Sequence, residues 1–188
     1  MNSKLLGLIS LLLSSQVFCQ DQYSGFIITL KDDTVRGELV QESFNANFSY
    51  CQFKTSDDDI KKFLPSEIKG FKYEKGRFYV SQVVEGVFMH ALVMGKVSLY
   101  TDGFDYFVRK DKELYPLKGG NQKAKIDGKK GVKEDHRWRG ILSVLIGDCL
   151  YNSNELVSRT LIQEKSLSKL ISKYNKCAGD LRYSILEK

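Results

Sequence analysis

The side chains able to do chemistry are few: two histidines, four cysteines and a run of lysines late in the chain. His90 lies in Phe88-Met89-His90-Ala91-Leu92, an apolar strand pattern. That is the setting of a hydrogen-bonded sheet histidine, not of a general base or metal ligand. His136 closes a basic stretch and reads as solvated. No HExxH, CxxC, GxSxG, GxxxxGK or Rossmann glycine pattern occurs, so neither a cofactor nor a metal is expected. Asp57-Asp58-Asp59 lacks the glycine and terminal glutamate of a calcium loop and reads as a charged turn, as does Asp32-Asp33. One catalytic option remains: an Asp/Glu pair for glycan hydrolysis, which would meet in space and not in sequence.

The lysines cluster. Lys118 to Arg137 holds seven basic residues (Lys118, Lys123, Lys125, Lys129, Lys130, Lys133, Arg137) against three acidic ones, a local charge of +4. The whole chain carries +6 from 29 basic and 23 acidic residues. The basic balance therefore belongs to one segment. Nucleic-acid binding needs a basic face across a domain, so it is not expected. The segment reads as a solvated loop, or as a contact for anionic envelope material such as lipid phosphates or acidic glycans, through Lys123, Lys125, Lys129, Lys130 and Lys133.

The N-terminus sets the compartment. Lys4 supplies a positive n-region, Leu5 to Leu13 an apolar h-region too short to span a bilayer, and Val17 and Cys19 the small residues before a cut. Met1 to Cys19 thus reads as a secretory signal peptide, cleaved before Gln20. A second reading makes Cys19 the lipidated first residue of a lipoprotein; the bulky Phe18 stands against it. No other stretch reaches membrane-spanning length, so residues 20–188 read as one soluble globular domain outside the cytoplasm.

Export changes the meaning of the cysteines. Cleavage leaves Cys51, Cys149 and Cys177, which allow one internal bridge and three pairings. Cys149 falls four residues after Leu145 and Cys177 three after Tyr174, each on an apolar helical stripe turned toward the same core. Cys149–Cys177 is therefore the expected disulfide, structural in role, with Cys51 left as a thiol in the β region.

The elements that must position these groups divide at the basic segment. From residue 20 to 117 the chain reads as short strands and turns: Gly25–Leu30 and Val35–Val40 as a hairpin, then Phe48–Phe53, Ile60–Leu64, Gly70–Tyr73, Arg77–Val83, Phe88–Met94, Gly95–Tyr100, Asp105–Arg109 and Leu114–Leu117. Pro65-Ser66-Glu67-Ile68 reads as a single helical turn. Residues 118–137 read as a flexible basic loop, marked by Gly119, Gly120, Gly128 and Gly131. Residues 138–188 read as two to three helices. Trp138, Ile141, Leu142, Leu145 and Cys149 recur at helical spacing in a run apolar almost all round, hence largely buried, although a buried strand has the same signature. Gly140, Ser143 and Gly147 form a stripe for close approach. Glu164–Cys177 is the clearest helix. The fold class is α+β: an antiparallel β-sandwich or partly open barrel of short strands followed by a C-terminal helical segment.

Gly25-Phe-Ile-Ile-Thr-Leu-Lys-Asp-Asp-Thr-Val-Arg-Gly37, Leu64-Pro-Ser-Glu-Ile-Lys-Gly-Phe71, Gly95-Lys-Val-Ser-Leu-Tyr100 and Tyr174-Asn-Lys-Cys177 together resemble a family of exported, uncharacterised β-rich proteins of Gram-negative bacteria. The resemblance implies a periplasmic, outer-membrane-associated or secreted location and carries no activity with it. A terminal lysine-bearing helix argues against an outer-membrane barrel. The aromatics, 11 Phe and 10 Tyr, read first as core, with an exposed strip for sugar stacking as the sharper alternative. The functional expectation is an exported, non-enzymatic binding or accessory module that contacts another envelope protein or a surface glycan. The rival is a hydrolase acting on cell-wall or polysaccharide substrates.

Overall fold

The computed structural model describes residues 21–41, 43–55, 59–126, 129–180 and 184–185. The leader Met1–Cys19, Asp57 and Asp58 lie outside them. The β-rich part opens on a hairpin. β1 (Asp21–Thr29) and β2 (Thr34–Gln41) pair antiparallel from Asp21↔Gln41 to Ile28↔Thr34. Their turn is closed by Thr29 N donating to Asp33 O at 2.9 Å, with Asp32 at a φ of 70°, a left-handed conformation that aspartate tolerates.

β3 (Cys51–Lys54), β4 (Ile60–Phe63), β5 (Ile68–Tyr73), β6 (Phe78–Val84), β7 (Val87–Met94), β8 (Val97–Thr101), β9 (Tyr106–Lys110) and β10 (Glu113–Leu117) complete one open sheet. Its order is β10-β9-β8-β7-β6-β5-β1-β2-β3-β4, and the short β13 (Ser184–Ile185) pairs with β7. All of these pairings are antiparallel. The outermost strands carry features that discourage edge pairing: Lys61 and Lys62 on β4, and Pro116 on β10.

Register shows that the first half of this sheet curls. Lys62 is level with Gln22 of β1 through Gln52 and Val40. Ile68 is level with Thr29, at the far end of β1. On a flat sheet these two levels, on strands four positions apart, would be about 30 Å from each other. The chain from Lys62 to Ile68 reaches at most about 22 Å. It is tighter still, because Glu67 N donates to Leu64 O at 3.0 Å and the Glu67 carboxylate accepts from Leu64 N at 2.7 Å. β1 to β5 must therefore roll into a partly closed barrel. Gly25 and Gly37, directly paired, permit the bend: a Cβ on Gly25 would lie 2.5 Å from Lys72 O and one on Gly37 2.4 Å from Lys54 O. Inside the roll sit Ile27, Leu39, Cys51, Phe53, Phe71 and Tyr79. A 3-10 turn at Ala46–Phe48 brings Phe48 onto Tyr79, with ring centroids 5.7 Å apart.

α1 (Arg137–Ile146), α2 (Ser153–Ser158) and α3 (Glu164–Cys177) cover the second half of the sheet. Trp138, Leu142, Ile146, Leu167, Ile171 and Tyr174 share one core with Leu92, Val97, Leu99, Val108 and Leu117. The fold is α+β, strands first and helices last, as the change of period indicates.

Several local expectations are corrected. The basic segment, expected without regular structure, carries two strands: β11 (Gly120–Ile126) and β12 (Lys129–Asp135) pair from Gly120↔Asp135 to Ile126↔Lys129 in a sheet of their own. The Asp127-Gly128 dipeptide between them is a strong hairpin signature that the lysines obscure. Pro65–Glu67 is a turn leading into β5, not a helical turn, and Phe48 belongs to the 3-10 turn, not to β3. α1 is buried along one stripe only, since Val144 is 80% exposed. A Cβ at Gly140 would meet nothing within 4 Å, so no element packs against that glycine.

Candidate binding cleft

A row of rings runs from the rolled core to the surface. Phe71 packs on Phe88 with centroids 5.0 Å apart and stacks on Tyr79 at 4.8 Å. Tyr73 follows Phe71 on the same face at 6.1 Å. Tyr23, two residues before Gly25 in β1, meets Tyr73 edge to face at 5.8 Å and is 44% exposed. Alternation along β1 places Tyr23 on the face of the buried Ile27. The surface ring is thus the end of the core's own aromatic row.

Buried Asn47 fixes the inner part of this row. The Tyr73 hydroxyl donates to Asn47 Oδ1 at 3.2 Å, and Asn47 Nδ2 donates to the Tyr79 hydroxyl at 3.5 Å. Burial raises the pKa of both phenols, so they stay protonated.

The rim is the β5–β6 turn. Tyr73 N donates to Arg77 O at 3.1 Å, and Glu74 N to Ser24 O at 2.9 Å, which ties the turn to β1. Gly76 takes a φ of 148°, where side-chain-bearing residues are strained. The Arg77 guanidinium lies 4.4 Å over the Phe44 ring, and Phe44 is held edge to face on Phe48 at 5.1 Å. Between rim and ring row are two adjoining hollows. One, of about 200 Å³, is lined by Tyr23, Gln41, Tyr73, Lys75, Gly76 and Arg77. The other, of about 300 Å³, is lined by Tyr23, Ser24, Tyr73, Glu74 and Lys75. Tyr23, Tyr73 and Lys75 line both, making one cleft at the lower end of small-ligand size.

No protein-family model, curated protein or solved structure matches this chain.

The residues singled out from sequence lie elsewhere. His90 is buried in β7 and stacks on Tyr79 at 5.3 Å. His136 is exposed, with Nδ1 3.1 Å from Arg139 Nη1. Among the described residues no group of three or more His, Cys, Asp or Glu is placed to hold a metal. Cys149 and Cys177 are joined, with Cα atoms 6.1 Å apart, the pairing the helical stripes predict. The bond sits at the surface, however: α1 ends at Ile146, Cys149 lies half-buried in the turn beyond it, and Cys177 is exposed. Cys51 is a buried free thiol whose pKa burial pushes up. The five lysines are carried by β11 and β12, with Lys125 opposite Lys130, Lys123 opposite Val132, Ile126 opposite Lys129 and Gln122 opposite Lys133.

Sequence reasoning missed Tyr23, Gln41, Tyr73, Lys75 and Arg77 as a group. Its one available signal was Lys75-Gly76-Arg77, two cations flanking the turn glycine between aromatic strands.

Proposed function

We propose that the protein is an exported envelope or secreted module that binds without transforming its ligand, and that the ligand is a surface glycan held in the Tyr23–Arg77 cleft. Tyr23 carries this reading: its half-exposed ring, backed by Tyr73, is the platform on which a sugar ring stacks. Glycan hydrolysis commonly uses two carboxylates about 5–10 Å apart, whereas Glu74 is the one carboxylate among the described residues lining the cleft. Export rests on the Met1–Cys19 pattern and agrees with the Cys149–Cys177 bond, which suits an oxidising compartment. Among the described residues no helix is long and apolar enough to cross a membrane.

The test is calorimetric titration of the purified protein with oligosaccharides from envelope polysaccharide, using wild type and Tyr23→Ala. Binding without release of shorter products, lost in Tyr23→Ala, is the expected result. Accumulation of shorter products would establish the hydrolase instead, and binding unaffected by Tyr23→Ala would remove the cleft from the account.

A further inference from the structure

We infer that the cleft selects acidic saccharides, with Lys75 and Arg77 receiving a carboxylate, sulfate or phosphate group while Tyr23 carries the sugar ring; this rests on the glycan reading above.

Lys75 and Arg77 line the same hollow, one on each side of Gly76. Among the described residues neither has a carboxylate partner in a salt bridge. Other lysines of this fold do pair: Lys54 with Glu38, Lys69 with Asp32 and Lys110 with Asp148. Two cations on one concavity, with no carboxylate partner among the described residues, attract an anion. Arg77 is also held in place. Its guanidinium lies over the Phe44 ring, and the planar fork of N–H donors that an arginine carries suits two-point recognition of an oxyanion. Glu74, the one acidic residue among the described lining residues, belongs to the neighbouring hollow, where it disfavours a second anion. The cleft is therefore divided, cationic beside Arg77 and acidic beside Ser24, and matches a chain in which charged and hydroxyl-bearing groups alternate. Gln41 adds an amide that donates to or accepts from a hydroxyl.

Full-length protein is titrated by calorimetry with a galacturonate tetrasaccharide, a sulfated heparin tetrasaccharide, a neutral galactose tetrasaccharide and inorganic sulfate. At least one acidic tetrasaccharide is expected to bind about tenfold or more tighter than the neutral one and to weaken as salt is raised. Lys75→Ala and Arg77→Ala should each lose roughly tenfold for the acidic probe, the scale of a charge-assisted contact. Binding of the neutral one should weaken much less, so that the preference for the acidic probe narrows in both variants. Arg77→Lys keeps the charge without the planar fork, and is expected to fall between wild type and Arg77→Ala, so a folding defect in the alanine variant does not decide the result. Equal binding of neutral and acidic tetrasaccharides would overturn the charge selection and leave the glycan reading standing. Binding of no tetrasaccharide would overturn both. Inorganic sulfate binding as tightly as the sugars would reduce the site to an anion contact and overturn the saccharide class.

Discussion

The side chain of Asn175 pairs with the backbone of Val97 at both ends: Oδ1 accepts from Val97 N at 2.9 Å, and Nδ2 donates to Val97 O at 2.8 Å. α3 thereby supplies β8 with what a neighbouring strand would supply. Gly95 makes room, since a Cβ there would lie 2.5 Å from Asn175 Nδ2, and Asp180 accepts from Lys96 N at 2.6 Å. Asn175 is fully buried. Its replacement by alanine leaves a buried N–H and a buried carbonyl unpaired, so Asn175→Ala is expected to cost about 2–4 kcal/mol in denaturant unfolding. A loss below about 1 kcal/mol would mean that water or another group replaces the amide.

That contact joins two stretches, Gly95–Tyr100 and Tyr174–Cys177, which the sequence presents only as a strand and a helix end. Their meeting was not legible, because an asparagine in a helix shows no sign of the strand it will bracket. The helical stripe of α3 was legible, since Leu167, Leu170, Ile171 and Tyr174 repeat at helical spacing and are all buried. So was most of the strand order along the chain, where aromatic and β-branched runs alternate with turns. The curl was not: it depends on which strand pairs with β1, and β5 returns there only after three intervening strands. The cleft was hidden for the same reason, because Tyr23 and Tyr73 become neighbours only through that return.

The disulfide yields a paired expectation. Cys149 and Cys177 are 28 residues apart, and closing a loop of that length stabilises a fold by about 3–4 kcal/mol in the chain-entropy model. Reduction should lower unfolding stability by that order. Cys51, buried with its thiol pKa raised, should remain unmodified. Alkylation followed by peptide mapping checks both: label on Cys149 and Cys177 after mild reduction, and label on Cys51 only after denaturation. Cys51 labelled in the native protein would show that the rolled core opens.

Asp148 governs the acid response of the helical end. Lys110 Nζ donates to its Oδ2 at 2.9 Å and to Leu145 O at 2.6 Å, and the Tyr174 hydroxyl donates to the same Oδ2 at 3.1 Å. The hydrogen bond from Lys110, with smaller help from Tyr174, holds the Asp148 carboxyl below its usual range. A depressed folded pKa contributes stability that is complete above the unfolded value, about 4, and fades as pH falls through the folded one. Wild type should therefore lose stability below about pH 4 more steeply than Asp148→Asn. Identical slopes for the two proteins between about pH 2 and pH 5 would rule this interaction out as a contributor.

The hairpin of β11 and β12 tests the anion contact assigned to its lysines. Its register sets Lys125 directly opposite Lys130. Like charges facing across an antiparallel pair disfavour it by about 0.2–1 kcal/mol. Two strands outside any larger sheet are marginal to begin with. The hairpin is separate from the main sheet, so the repulsion is not offset by further strand pairing. An anionic surface laid along it would offset that repulsion. Lys130→Glu turns the facing pair into an attractive one and takes away two units of local positive charge. It is expected to leave thermal stability unchanged or slightly raised, while lowering the salt concentration at which the protein elutes from immobilised heparin. Lys165→Glu, on the opposite side of α3 from its buried stripe, makes the same charge change elsewhere and should shift elution less. Equal shifts in the two variants would show that retention follows net charge alone, and the hairpin would then have no special claim on anions.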